Sequence, residues 1–263
     1  MLEEKFLRLK KILQGYGSVA VAFSSGVDST FLLKVAHDVL GDRAIAITAT
    51  SEFFPVRESA EAENFCEREG IKQIFLHEKI LDVDGIENNP VDRCYLCKKN
   101  LFAKIKALAA ENKISYVAEG SNMDDLGDYR PGMKAIAELE IKSPLREAEL
   151  YKSEIRELSK KLNLPTANKP SFACLASRFV YGEKITAEKL AQVERAEEFL
   201  LKNNFKQFRV RIHGNLARIE ILPTDFEKIF PLREELVSSF KNFGFDYVAL
   251  DLQGYKTGSM NIF

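Results

Sequence analysis

The sequence predicts an α/β protein: a doubly wound, mainly parallel sheet followed by a smaller C-terminal α+β domain. Three observations predict it. An apolar run, Val19-Ala20-Val21-Ala22-Phe23, passes through a small-residue turn, Ser24-Ser25-Gly26-Val27-Asp28-Ser29, into the amphipathic stretch Thr30 to Ala36. That is the pattern of a buried strand, a tight turn and a helix. Further apolar runs then alternate with helix-period segments as far as Gly120. Beyond the turn-rich segment from Pro165 to Cys174 the pattern changes to helix, hairpin, helix and strand.

Each element has its own signal. Leu2 to Tyr16 mixes Glu and Lys with a helical apolar stripe. Ala44 to Thr50 reads as a second buried strand; Pro55 opens a helix to about Glu69, and Gly70 stops it. Lys72 to His77 is a third strand. Asn88-Asn89-Pro90 marks a turn before a helix from about Cys94 to Asn112, and Ser115 to Gly120 is a fourth strand. Strands and helices alternating at this spacing imply parallel βαβ units. In such sheets a ligand sits beyond the carboxyl ends of the strands, so the loops after Phe23, Thr50 and Gly120 are expected to converge on it. Glu147 to Leu162 reads as one helix, ended by Pro165. Ala187 to Asn203 is another, ahead of a hairpin, Phe208 to Ile212 and Leu216 to Leu222, around His213-Gly214-Asn215. A helix from about Glu227 to Phe240 and a strand from Tyr247 to Leu252 complete the C-terminal part. The boundary is placed near Arg178 to Glu183, giving domains over 1–180 and 181–263. There is no internal repeat.

Composition narrows the class. The chain has 263 residues, enough for one large domain or two modest ones with real cores. A hydrophobic content of 46% and a charged content of 29% are those of an ordinary globular protein. The net charge of −1 creates no global pull towards nucleic acid or an anionic membrane. No apolar run approaches the ~20 residues that span a bilayer, and the N-terminus lacks a signal-peptide core, so the expected location is the cytoplasm. Four cysteines (Cys66, Cys94, Cys97, Cys174) are too few and too unevenly spaced for a disulfide scaffold. The three histidines include no pair at helical metal-ligand spacing.

The turn from Ser24 to Ser29 is the main chemical signal. Small side chains let backbone N–H groups approach an anion, and the following helix N-terminus adds partial positive charge, so the turn is expected to hold phosphate. It is not a Walker A loop, because G-x-x-x-x-G-K-[ST] is absent. Asp28 beside phosphate makes sense if it binds Mg²⁺; a helix N-cap is the other reading. The run from Asn122 to Gly132 holds Asp124, Asp125 and Asp128, either as part of a metal or substrate site or as a solvated turn. Cys94 and Cys97 stand three apart at a helix start, which suits thiolates; alone, this spacing fits zinc, a redox pair, a cluster or coincidence. Small and turn-forming neighbours around Cys174 suit an accessible sulfur, whereas Cys66 reads as a small buried hydrophobe. On the hairpin, Arg209 and Arg211 share one strand face, as do Arg218 and Glu220 on the return strand. Two adjacent arginines fork onto a phosphate or carboxylate, or line a solvated face.

The Ser24–Ser29 turn resembles the S-G-G-x-D-S loop of the PP-loop ATP pyrophosphatases, with serine replacing the first glycine. Taken with Cys94-x-x-Cys97, Gly120-Ser121-Asn122-x-Asp124-Asp125, Asp128-Tyr129-Arg130-Pro131-Gly132, Ala173-Cys174-Leu175-Ala176-Ser177-Arg178 and Arg209-Val210-Arg211, the chain resembles the LarE family. These are ATP-dependent sulfur transferases of nickel-pincer nucleotide biosynthesis. The resemblance implies that a carboxylate of pyridinium-3,5-biscarboxylic acid mononucleotide is adenylated and that sulfur then displaces AMP. It implies ATP and Mg²⁺ at Ser24, Ser25, Gly26, Asp28, Ser29, Thr50 and Gly120, and substrate phosphate on Arg209 and Arg211. It places sulfur transfer at Cys174, with Asp28 and Cys174 as the catalytic residues. Two sulfur sources occur in the family: a sacrificed cysteine, or a [4Fe-4S] cluster on three cysteines, here Cys94, Cys97 and Cys174. The three-cysteine set points to the cluster, fed by a sulfide donor. The resemblance also suggests a homo-oligomer.

Rival readings make different demands. A transfer-RNA thiolase needs a basic surface, which the net charge does not supply. An ammonia-using synthetase gives Cys94, Cys97 and Cys174 no task. A non-catalytic nucleotide-binding module leaves Asp28 unexplained.

Overall fold

The computed structural model describes residues 2–127, 131–170, 173–256 and 258–260. The chain divides into two compact units. One comprises Met1–Ser51, Val56–Lys79 and Asp92–Phe172; the other comprises Glu52–Pro55, Ile80–Val91 and Ala173–Phe263.

The first unit is a parallel four-stranded sheet of β1 (Val19–Ala22), β2 (Ala44–Thr50), β3 (Gln73–His77) and β4 (Tyr116–Ala118), in the order β3-β2-β1-β4. Helices α1 (Leu2–Tyr16), α2 (Val27–Leu40), α3 (Val56–Glu69) and α4 (Arg93–Glu111) belong to the same unit. The sheet is buried on both faces, which explains the near-continuous apolar strands. Val19, Val21, Ala44 and Ala46 enter one core with Leu9, Leu13, Phe31 and Leu32; Ala20, Ile45 and Ile47 enter the other with Phe102 and Ile105. Each fully buried Val, Leu, Ile or Phe contributes roughly 1.5–3 kcal/mol. The strand order reverses between β1 and β4, and the crevice at that switch point is where an open α/β sheet binds its ligand.

The predicted helix from Glu147 to Leu162 begins only at Lys152, as α7 (Lys152–Lys161); two short helices, α5 (Gly132–Glu138) and α6 (Pro144–Glu147), which carried no clear sequence signal, precede it. Glu149, between α6 and α7, takes φ 59°, which drops Leu150 into the core, where its N–H donates to the Leu145 carbonyl at 2.9 Å. Asp128, Tyr129 and Arg130 lie outside the described residues, as do Ser171 and Phe172.

The second unit carries α8 (Ala187–Lys202) and a three-stranded sheet, β5 (Phe208–His213), β6 (Leu216–Ile221) and β7 (Tyr247–Leu250). β5 and β6 are antiparallel, β6 and β7 parallel. The predicted helix from Glu227 to Phe240 is split into α9 (Phe226–Ile229) and α10 (Arg233–Phe243), because Pro231 has no N–H to continue it.

Candidate active site

β1 ends in the loop that the sequence singled out. Gly26 is the N-cap of α2 in extended conformation, so the loop N–H groups and the helix N-terminus face the same side. Ser25, the residue that replaces a glycine, takes φ 51°, a conformation glycine adopts freely and serine holds at a cost of roughly 1 kcal/mol. Its surroundings hold it there. The Ser25 hydroxyl donates to the Glu58 carbonyl at 3.1 Å, and Lys169 Nζ donates to the Ser25 carbonyl at 3.0 Å and to its hydroxyl at 3.2 Å. Ser24 and Ser29 lie hydroxyl to hydroxyl at 3.3 Å, and Ser29 also donates to the Gly26 carbonyl at 3.3 Å.

Asp28 is the second residue of α2, not its N-cap. Its carboxylate pairs with Lys152 Nζ from α7 and accepts from Asn122 Nδ2 at 3.3 Å. Burial holds the carboxyl above its ordinary range against the opposing pull of Lys152, and Asp125 pushes in the same direction as burial. The Lys152 ammonium, itself partly exposed, is thus the cation that this carboxylate meets in the ligand-free chain. That donor set fits Mg²⁺ shared with a nucleotide's phosphates.

Gly120 follows β4 and lies against this loop. A Cβ there would come within 3.1 Å of Asp28 Cβ and of the Ser29 backbone nitrogen. The neighbours are mainly backbone and cannot yield cheaply, so Gly120→Ala is expected to displace the loop and cut pyrophosphate release about tenfold or more. Parallel rate and Tm measurements check this; an unchanged rate would show that Gly120 does not position the loop.

Asn122, Asp124 and Asp125 organise backbone. Asp125 accepts the Asn122 N–H at 2.9 Å, Asn122 Oδ1 accepts the Asp124 N–H at 2.9 Å, and Asp124 accepts the Lys152 N–H at 2.7 Å. The acidic run thus seats the start of α7 and aims Lys152 at Asp28. Thr50, at the end of β2, has its hydroxyl 2.6 Å from His77 Nδ1.

Cys94 and Cys97 are half-buried in the first turn of α4. Cys174 is half-buried at the start of a 3-10 turn, Leu175–Arg178, in the second unit. Among the described residues no three His, Cys, Asp or Glu side chains form a group able to hold a metal ion. Cys66 is buried, and burial pushes its thiol up to about 12, which removes it from thiolate chemistry.

In the second unit, Arg209 and Arg211 are 4% and 5% exposed, so they line a buried polar network and no solvated face. Arg211 donates to Glu220 at 2.9 Å, to the Ser177 carbonyl at 2.9 Å and to the Ser259 hydroxyl at 3.0 Å. Arg209 donates to the Phe208 carbonyl at 2.6 Å and stacks 5.1 Å from the Tyr255 ring centroid. Burial and the neighbouring Arg178 bring the Arg209 guanidinium down to about 10, outweighing Glu197 and Tyr255. Arg178 is itself fully buried and forks onto Glu197 at 2.8 and 2.7 Å. For Glu197 burial opposes ionisation, yet Arg178 and then Arg209 hold its carboxyl below the usual range.

Sequence reasoning missed Lys152, Lys169 and the Arg178–Glu197 pair. Nothing in the residues around the two lysines marks them, because they reach the loop only through packing. Arg178 was visible solely as the last residue of the motif around Cys174.

The first unit is thus a parallel sheet whose switch point carries a small-residue βα loop, with a carboxylate in the first turn of the helix that follows. No protein-family model matches the chain. It is 43% identical over 263 residues to an uncharacterized protein of Synechocystis, covering 99% of this chain and 98% of the other. It is 37% identical over 261 residues to the pyridinium-3,5-bisthiocarboxylic acid mononucleotide synthase of Lactiplantibacillus plantarum, covering 99% and 95%. A more distant relative, a glutamine-hydrolyzing GMP synthase component of Saccharolobus solfataricus, is 25% identical over 78% of this chain and 62% of its own. The chain belongs to the LarE-like family of PP-loop ATP pyrophosphatases. Among the described residues no helix is long and apolar enough to cross a membrane.

Proposed function

We propose that this protein inserts sulfur into pyridinium-3,5-biscarboxylic acid mononucleotide, forming the thiocarboxylate of the nickel-pincer precursor at the expense of ATP. The observation that carries the reading is the full-length likeness to the Lactiplantibacillus plantarum synthase, which includes the Asp28 loop at the switch point. A carboxylate is a poor electrophile. Its oxygen attacks the α-phosphorus of ATP, pyrophosphate leaves, and the acyl-adenylate then offers AMP as a good leaving group to an incoming sulfur nucleophile. The N–H groups of Ser24 to Ser29 stabilise the departing pyrophosphate. Asp28 would hold Mg²⁺, which would neutralise charge growing on the phosphates, and the Lys152 ammonium beside Asp28 adds positive charge at the same place. Arg209 and its neighbour Arg211, which share one face of β5, bind the phosphate of the mononucleotide through their guanidinium forks. Anaerobic incubation with Mg-ATP, the biscarboxylic mononucleotide and sulfide should yield AMP, pyrophosphate and a product with sulfur in place of one carboxylate oxygen. ATP turnover without the sulfur-for-oxygen mass change would overturn the reading.

For the sulfur source we propose a [4Fe-4S] cluster on Cys94, Cys97 and Cys174, supported by the presence of all three thiols and by the helix-start spacing of the first two. Such a cluster, when bound, supplies a reusable sulfide at an iron without a protein ligand. The second reading, in which Cys174 surrenders its own sulfur, is favoured by the three thiols not forming one metal group among the described residues. Iron and acid-labile sulfide after anaerobic purification separate the two. About four of each per chain, lost on Cys174→Ala, is the expected result. Iron-free protein after attempted reconstitution leaves Cys174 as the donor.

A further inference from the structure

We infer that Arg178 is a positioning residue for Cys174, holding its backbone in place for sulfur transfer; this rests on the reading of Cys174 as the sulfur-transfer residue. The Arg178 side chain is 0% exposed and its donors divide between two tasks. Nε and one terminal nitrogen fork onto Glu197. The other terminal nitrogen donates to the carbonyls of Ala173 at 2.6 Å and Cys174 at 2.9 Å and to the Ser177 hydroxyl at 2.9 Å. The Cys174 carbonyl also accepts the Ser177 N–H at 3.0 Å, while the next N–H, of Leu175, donates to the Phe53 carbonyl at 2.8 Å. The peptide groups on either side of the Cys174 Cα are thereby tied down, and the thiol keeps only its side-chain rotation.

The pair does more than anchor one loop. Glu197 Oε1 also accepts the Val210 N–H at 3.1 Å, and Arg211 donates to the Ser177 carbonyl at 2.9 Å. The strand bearing Arg209 and Arg211 and the turn bearing Cys174 are therefore parts of one hydrogen-bonded assembly with Arg178 at its centre. Stability alone is a weak reason for a buried ion pair, since apolar residues of similar volume often serve as well. A planar fork that reaches two carbonyls and a carboxylate at once is a geometric device, and lysine cannot reproduce it.

The test uses the full-length chain with Arg178→Lys and, because a lone substitution can strand the Glu197 charge, the double variant Arg178→Met with Glu197→Met. Three quantities are compared with the wild type: the iodoacetamide alkylation rate of Cys174, hydrogen–deuterium exchange over 173–178, and kcat and KM for thiocarboxylate formation. Both variants are expected to keep the exchange protection of the β5–β6 hairpin while 173–178 exchanges about tenfold faster or more. Cys174 alkylation is expected to change with it. The kcat for sulfur insertion is expected to fall about 10²-fold at unchanged KM. A folded variant with wild-type alkylation and exchange at Cys174 overturns the inference. Alkylation and exchange need no substrate, so a wild-type protein that forms no thiocarboxylate defeats the functional reading while these two still decide the role of Arg178.

Discussion

Cys174→Ala is expected to abolish thiocarboxylate formation while pyrophosphate release from ATP and the mononucleotide continues near the wild-type rate. The groups assigned to adenylation, from Ser24 to Asp28 with Lys152, belong to the first unit, whereas Cys174 lies in a turn of the second. Removing one half-buried sulfur leaves the Arg178 contacts intact, because they go to the Cys174 carbonyl. The fold is therefore expected to lose no more than about 1 kcal/mol. A quenched reaction resolved by mass spectrometry checks the split: acyl-adenylate should accumulate with no sulfur-bearing product. Product at the wild-type level would remove Cys174 from the mechanism.

Asp28→Asn is expected to act on the opposite half-reaction. With Asp28 in the Mg²⁺-holding role proposed for it, losing the carboxylate forfeits several kcal/mol of charge stabilisation in the transition state. At 1.36 kcal/mol per decade, about 4 kcal/mol corresponds to about 10³-fold in pyrophosphate release. The fold should not suffer. Burial holds the Asp28 carboxyl above its usual range, so the ionised form is the costlier one in the ligand-free chain. An uncharged amide at 28 removes that cost, and the ammonium of Lys152 retains access to water. The expected signature is a Tm at or above the wild type with the activity lost. A Tm well below it would mean that the Lys152 pair is needed to hold the structure.

The strand, loop and helix from Val19 to Leu40 were legible because their information is local. Small residues permit the tight turn, alternating Val and Ala suit a strand buried on both faces, and the apolar period of α2 follows at once. The hairpin around His213-Gly214-Asn215 was legible for the same reason, while its register, which sets Arg209 opposite Glu220 and Arg211 opposite Arg218, came with the structure. What was illegible lies where distant segments meet. One helix was expected from Glu147 to Leu162, yet the break at Glu149 is what points Lys152 at Asp28. The acidic run after β4 read as a metal or substrate site or as a solvated turn, and only the fold shows one oxygen each of Asp124 and Asp125 accepting a backbone N–H. The arginine pair read as an anion fork or as a solvated strand face, and only the folded unit shows both guanidiniums buried among Glu220, Ser259 and Tyr255.

Residue order alone was enough for the α/β class and for the small-residue turn between β1 and α2, because each depends on neighbours within a few positions. The partners of those groups came only with packing. Lys152 meets Asp28 across 124 residues, and Lys169 meets Ser25 across 144. Arg178, in sequence only the last letter of a motif, became the centre of the turn that holds Cys174 once α8 brought Glu197 to it. Periodicity and turn chemistry are written along the chain, whereas the pairing of buried charges depends on which helices a sheet draws together, and no local pattern encodes that.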